Sequence, residues 1–195
     1  MTGATNSDVD ELVAYLANEA NAQPASGFPD NARDVDQAGL YAWWADEEGR
    51  SQLSAAFGVA LPALIYAGQT GATTKRSNTK RVSTLRSRIG GNHLGGNVRS
   101  STFRKTLTAV LRGLLDLRLA GSNKLDPACN AELTAWMHDH LRVATIGVSD
   151  RDGLAKLEEA VLERLDPPLN LMGMSPTPVR AELRRLRSAL GSPTQ

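Results

Sequence analysis

The chain has 195 residues, 41% of them hydrophobic and 22% charged, with a net charge of +1. That is the composition of an ordinary soluble globular domain, and no apolar run approaches the ~20 residues of a membrane helix. The polar, acidic stretch Met1–Asp10 does not read as a signal peptide, and the single cysteine, Cys129, excludes an internal disulfide framework or a multi-cysteine zinc site. A reducing, cytoplasmic setting without membrane attachment is therefore expected.

In chain order, Asn6 or Asp8 is placed to cap a first helix carrying Val9, Leu12, Val13 and Leu16 at helical spacing, fading near Ala20. Residues 23–36, with Pro24, Gly27, Pro29 and Asn31, read as a loop. Gly39–Trp44 reads as a strand, Asp46–Arg50 as a charged turn, residues 51–58 as a short helix and Leu61–Ala67 as a second strand. Residues 69–83 are polar, basic and rich in Thr and Ser, with nothing to bury. A helical patch starts at Thr84, and Gly90, Gly91, Gly95 and Gly96 are expected to break it. Ser100–Thr102 caps a helix reaching about Leu119, with Phe103, Leu107, Val110, Leu111, Leu114 and Leu115 on its buried face. Gly121–Asn130 reads as a loop, residues 131–139 fit no single pattern, and Leu141–Val148 reads as a third strand. Asp150 or Asp152 is placed to cap a helix through Leu165 that Asp166-Pro167-Pro168 stops. Val179–Leu190 is a last, strongly basic helix. The expected fold is α/β (α+β): a small, mostly antiparallel three-stranded sheet flanked by helices, with extra N- and C-terminal helices.

The net charge conceals a segregation. Residues 1–68 carry a net −8, residues 69–118 a net +10 and residues 119–195 a net −1. A block of +10 suits a polyanionic partner, nucleic acid above all, although a solvated helix face with a basic loop gives the same count. No phosphate-binding loop, dinucleotide fingerprint or His-Glu-x-x-His helix is present. His138 and His140 would share a face if they lay on a strand, but no third ligand clusters with them. Trp43 and Trp44 alternate faces on their strand, leaving one for the core and one for a base to stack upon.

A more specific pattern is an ordered set. Gly39-Leu40-Tyr41 lies on the first strand and Tyr66-Ala67-Gly68 on the second. Leu85-Arg86-Ser87-Arg88 follows, then His93, then Glu158 on a late helix that closes with Pro167-Pro168-Leu169-Asn170. Taken in this order, the set resembles the GIY-YIG nuclease family. Gly39–Tyr41 matches the family's Gly-Ile-Tyr and Tyr66–Gly68 its Tyr-Ile-Gly. Arg88 matches its helical arginine, and Glu158 its metal-binding glutamate ahead of a Pro-x-x-Asn turn. Three departures stand out: the stretch between Tyr41 and Tyr66 is longer than usual, Gln69 stands where many members carry lysine, and His93 follows Arg88 by five residues rather than four.

The resemblance covers residues 38–171. It implies a nuclease domain there, preceded by a helix and loop (1–37) and followed by a basic helix (172–195). It also implies a site of Tyr41, Tyr66, Arg88, His93, Glu158 and Asn170, with Glu158 holding Mg²⁺ or Mn²⁺, and a metal-dependent, restriction-like DNA endonuclease. Gln69, Lys75, Arg76, Lys80, Arg81, Arg86, Arg99, Ser101 and Arg104 are the expected DNA contacts. Cutting both strands would take two active sites, hence a homodimer on DNA or sequential nicks.

Residue chemistry runs parallel to this. Phosphodiester hydrolysis needs a proton acceptor for water and positive charge at the phosphate. A carboxylate is a hard ligand for Mg²⁺, arginine forks onto phosphate, and a tyrosine serves as base only where a cation favours its anion. Taken singly, each tyrosine is equally a sheet-core residue and Arg88 a surface arginine. Two other readings remain: a non-catalytic nucleic-acid-binding module on the same fold, and an assembly protein whose last helix makes the contacts.

Overall fold

In the computed structural model, residues 6–73, 83–121 and 124–190 are described. Strand β2 (Gly39–Ala45) lies between β3 (Leu64–Thr70) and β4 (Leu141–Gly147) and pairs antiparallel with both. A two-residue strand, β1 (Gln23–Pro24), pairs with the far side of β4, so the sheet has four strands in the order β1-β4-β2-β3, not three. β1 is too short to show alternation, which is why it reads as loop. All seven residues of β2 are buried. It is central and covered on both faces, so Gly-Leu-Tyr-Ala-Trp-Trp-Ala shows no polar alternation.

The helices form two layers. On one face α1 (Asn6–Leu16) and α5 (Leu154–Leu165) bury Val9, Leu16, Leu154, Leu157, Val161 and Leu162 against Leu40, Ala42 and Trp44. On the other, α2 (Glu47–Ala55), a π-helix (Arg86–Leu94), α3 (Thr102–Leu111), α4 (Pro127–His140) and α6 (Pro178–Ala189) close over Tyr41, Trp43 and Val143. Both tryptophans are interior. Trp43 stacks on Phe103 at 5.0 Å, and Trp44 donates its Nε1–H to the Leu16 carbonyl. Neither is left for a base.

Several boundaries differ from expectation for local reasons. Asp46 accepts from Gly49 N–H and so caps α2; the charged turn is the helix's first turn. α3 starts at the Ser101 cap but ends at Leu111, ahead of Gly113 and the left-handed Asp116. Leu114 is consequently 58% exposed rather than buried. Residues 127–140 form one helix, capped by Asp126 with Pro127 in its first turn. His138 and His140 therefore lie on a helix and not on one strand face. Among the described residues no group of three or more His, Cys, Asp or Glu side chains is placed to hold a metal. α5 is preceded by an Asp150 turn, its carboxylate accepting from Asp152 and Gly153 N–H, and is stopped by the left-handed Asp166. No described helix is long and apolar enough to cross a membrane.

Candidate active site

The two motif strands fix the first half of the site. Tyr41 pairs with Gly68 and Trp43 with Tyr66 across the β2–β3 ladder. Cross-strand partners and residues two apart share a face, so both tyrosines project to the same side of the sheet. The motif glycines have steric causes. A Cβ at Gly68 would sit 2.8 Å from the Tyr41 hydroxyl oxygen. A Cβ at Gly39 would collide with the Ile146 carbonyl of β4.

The π-helix supplies the second half. Gly90 and Gly91 do not interrupt it; the helix runs to Leu94, where Gly95 N–H bonds to Gly90 O, five residues back. In this register residues five apart recur on one side. Arg88 and His93, out of step in an α-helix, thus both reach Tyr41. Arg88 Nε lies 3.4 Å and His93 Nε2 2.9 Å from the Tyr41 hydroxyl oxygen. The five-residue spacing and the π-helix are one feature seen at two levels.

Behind His93, its Nδ1 lies 2.7 Å from Ser101 Oγ, and both residues are buried. Ser101 Oγ also accepts from Arg104 N–H as the α3 cap. A buried hydroxyl hydrogen needs an acceptor, and among its recorded partners only His93 Nδ1 can serve. In the tautomer that satisfies Ser101, its hydroxyl donates to Nδ1, and Nε2 carries the proton and donates to Tyr41. In that tautomer the Tyr41 oxygen receives two N–H donors, from Arg88 and His93, an arrangement that suits its phenolate form.

On the outer side of β3, the Glu158 carboxylate accepts from the Gln69 backbone N–H, and α5 packs along that strand. Glu158 is half-buried and its neighbour Glu159 exposed. Asn170 acts as a substitute strand partner: its Oδ1 accepts from Ala67 N–H at 3.0 Å and its Nδ2 donates to Ala67 O at 2.8 Å, which fixes the segment between Tyr66 and Gly68.

A model of the GIY-YIG catalytic domain matches residues 39–189. The chain belongs to the GIY-YIG family. The matched span starts on Gly39 and runs through α6, so it takes in every residue of the cluster just described. No curated protein and no solved structure matches the chain. Within this GIY-YIG domain the electrostatics are set by burial. Burial raises the Tyr41 hydroxyl above its ordinary pKa, the charge and hydrogen bond of Arg88 pull it part-way back, and Glu158 pushes it up again. Tyr41 is therefore protonated in the free protein, although a cation stands beside it. Burial also raises Tyr66, aided by Tyr41 and Glu158. His93 is pushed well below its usual value by burial and by Arg88 and Arg104, so it is neutral. Burial works against the charge of Arg88, but Tyr41, Tyr66 and Glu158 outweigh it and hold its pKa above normal. Burial raises Glu158, opposed by the Gln69 N–H and Arg88.

The expected DNA contacts divide. Arg99 is exposed, Gln69 is half-buried with its Oε1 accepting from Ala72 N–H, and Arg86 is exposed but forked onto Asp36 at 2.6 and 3.0 Å. Lys75, Arg76, Lys80 and Arg81 lie outside the described residues. Arg104 and Ser101 are corrections: both are interior, and neither presents an atom to a DNA surface. Arg104 donates to the carbonyls of His93 (2.9 Å), Leu94 (3.1 Å) and Asn130 (2.6 Å) and to the side chains of Asn130 and Thr134. Its guanidinium, with no carboxylate partner among the described residues, is lowered by burial to about 10. It is a latch that ties the end of the π-helix to α4. Charge counting misses such a residue because it treats every arginine as surface; only the apolar neighbours Phe103 and Leu107 hint at it.

Arg104→Met should accordingly destabilise the fold, with His93 O and Asn130 Oδ1 left unpaired at roughly 1–3 kcal/mol each, partly offset by relief of the buried charge. Urea unfolding measures the loss, and a variant as stable as the parent would refute the latch.

Proposed function

We propose that this chain is a divalent-metal-dependent endonuclease that hydrolyses DNA phosphodiester bonds. The observation that carries the reading is the convergence of Arg88 and His93 on the Tyr41 hydroxyl, with Glu158 close enough for its charge to register on it and Tyr66 close enough to feel Tyr41 in turn. A buried tyrosine that served only the core would need one hydrogen-bond partner and no arginine.

In this reading Tyr41 is the base. Its phenolate, once formed, is held by Arg88 Nε–H and His93 Nε2–H, and it accepts the proton of the attacking water. The Arg88 terminal nitrogens are left for the phosphate oxygens, where negative charge grows as the new P–O bond forms and the old one breaks. Tyr66, kept neutral by burial, offers a hydroxyl donor on the same side of the sheet. Glu158 is the carboxylate that would hold the metal. As a single hard-oxygen ligand on a rigid helix it suits Mg²⁺ or Mn²⁺ with most of its shell left to water and phosphate. When bound, the ion supplies positive charge beside the phosphate and the leaving oxygen.

The test is incubation with supercoiled plasmid. Nicking or linearisation should require Mg²⁺ or Mn²⁺ and stop in EDTA. Binding that persists without any cutting across both metals is the result that favours a non-catalytic DNA-binding module.

A further inference from the structure

The last helix carries four arginines, Arg180, Arg184, Arg185 and Arg187, and they are not equivalent. Arg180 is 1% exposed and donates to Asn170 O, Ser175 O, Pro167 O and the Asp166 carboxylate. It fastens α6 to the turn whose Asn170 side chain in turn holds Ala67, the residue between Tyr66 and Gly68. Leu183, fully buried, lies in the same core as Tyr66, and Leu186 packs against it. α6 packs on α3, whose Phe103 ring lies 4.7 Å from the Tyr66 ring. Positions 180, 183, 187 and 190 form one helical stripe, so the Cα of Arg187 stands about 10 Å along the axis from that of Arg180, on the same inward side.

Arg187 thus faces the body of the protein. It is half-buried, its charge interacts with Tyr66, and it has no carboxylate partner among the described residues. By contrast Arg184 is exposed, and Arg185 is exposed and paired with Glu182. Half-burying an arginine costs solvation, and that cost is ordinarily offset by an anion. Here the missing anion would lie on the Tyr66 side of the site.

We propose that Arg187 is a phosphate-binding residue of the cleavage site, carried by α6 to the Tyr66 side and taking a DNA phosphate adjacent to the one gripped by Arg88. This rests on the nuclease reading for the identity of the anion. Arg88 and Arg187 then bracket the two tyrosines and set the path of one strand across the sheet face. α6 becomes part of the site, with Arg180 as its anchor.

The experiment compares wild type with Arg187→Ala, Arg187→Lys and Arg184→Ala in two assays: salt-dependent binding of a fluorescent duplex oligonucleotide without metal, and single-turnover nicking of supercoiled plasmid with Mg²⁺. Arg187→Ala should bind about tenfold more weakly, and the slope of log affinity against log salt should flatten by ~0.9 for the one lost phosphate contact. It should also nick more slowly at saturating protein. Arg187→Lys should restore the slope but not the full rate, because an ammonium supplies the charge without the fork. Arg184→Ala should match wild type in both assays. Thermal melting guards against misfolding, which would not alter the slope by one contact. If Arg187→Ala shows the slope and rate of Arg184→Ala, the proposal is overturned. A wild type that binds DNA but never nicks it overturns the nuclease reading instead, and the slope comparison still decides Arg187.

Discussion

Glu158→Ala is expected to abolish plasmid cutting while leaving DNA affinity nearly unchanged. The loss should be at least on the order of 10²–10³ in single-turnover rate, the scale of removing one group that stabilises transition-state charge. Among the described residues Glu158 is the one carboxylate whose charge is felt at Tyr41, Tyr66 and Arg88 alike. Glu159, one residue on, is exposed, so Glu159→Ala is the matched control and should cut normally. Glu158→Gln separates chemistry from folding. Burial raises the Glu158 pKa above its ordinary 4.5 in the folded state. A group shifted in that direction stabilises the fold fully below about 4.5, and that contribution is lost as pH rises through the folded value. At pH 7 the ionised carboxylate is therefore a burden, and metal-free Glu158→Gln should melt at or above the wild-type temperature while cutting nothing. Mg²⁺ should raise the melting temperature of wild type and not of the variant. A Glu158→Gln protein that cuts like wild type would remove Glu158 from the site.

The parts of this site that are legible in the sequence are those with steric or covalent signatures. Gly39 and Gly68 stand where a Cβ would strike the Ile146 carbonyl or the Tyr41 hydroxyl, so the tripeptides mark real constraints on the β2–β3 ladder. Pro167 and Pro168 stop α5 and place Asn170 against Ala67. Other features escape because their cause is tertiary. Gly90 and Gly91 each disfavour a helix by about 1 kcal/mol, which is why they read as breakers. Their helix survives because Arg104, eleven residues after His93, takes up the His93 and Leu94 carbonyls at its end. The buried stripe of α4, Cys129, Leu133, Trp136 and Met137, is hard to see in the sequence because its exposed side carries Ala128, Ala131 and Ala135, which are apolar too. Asp126-Pro127 was the available signal: a cap followed by a proline with no N–H to lose. Arg180 and Arg187 were legible only as charge, since an arginine's burial is set by what folds over it.

Tyr41→Phe should lower the cleavage rate by ~10²–10⁴, the usual cost of losing a positioned proton acceptor. The variant keeps the ring that packs edge-on against His93 at 5.3 Å and loses only the oxygen, so it should fold and bind DNA. A tyrosine serving the core alone predicts an unchanged rate and a small stability loss from unpairing His93 Nε2. The pH profile sharpens the distinction. Burial holds Tyr41 above its ordinary value, so the active phenolate is a minor species near neutrality and grows as pH rises. The logarithm of the single-turnover rate should therefore climb with pH through the neutral range. His93 is pushed well below 6.5 and works as a neutral donor, so it should contribute no bend between about pH 6 and pH 9. His93→Ala, which among the described residues leaves Arg88 as the only donor to the Tyr41 oxygen, should move the climb to higher pH, because the phenolate has lost a hydrogen bond that favours it. A profile that bends near 6.5 in wild type and loses that bend in His93→Ala would mean that His93 itself takes up the proton, and the donor arrangement drawn from Ser101 would be reversed.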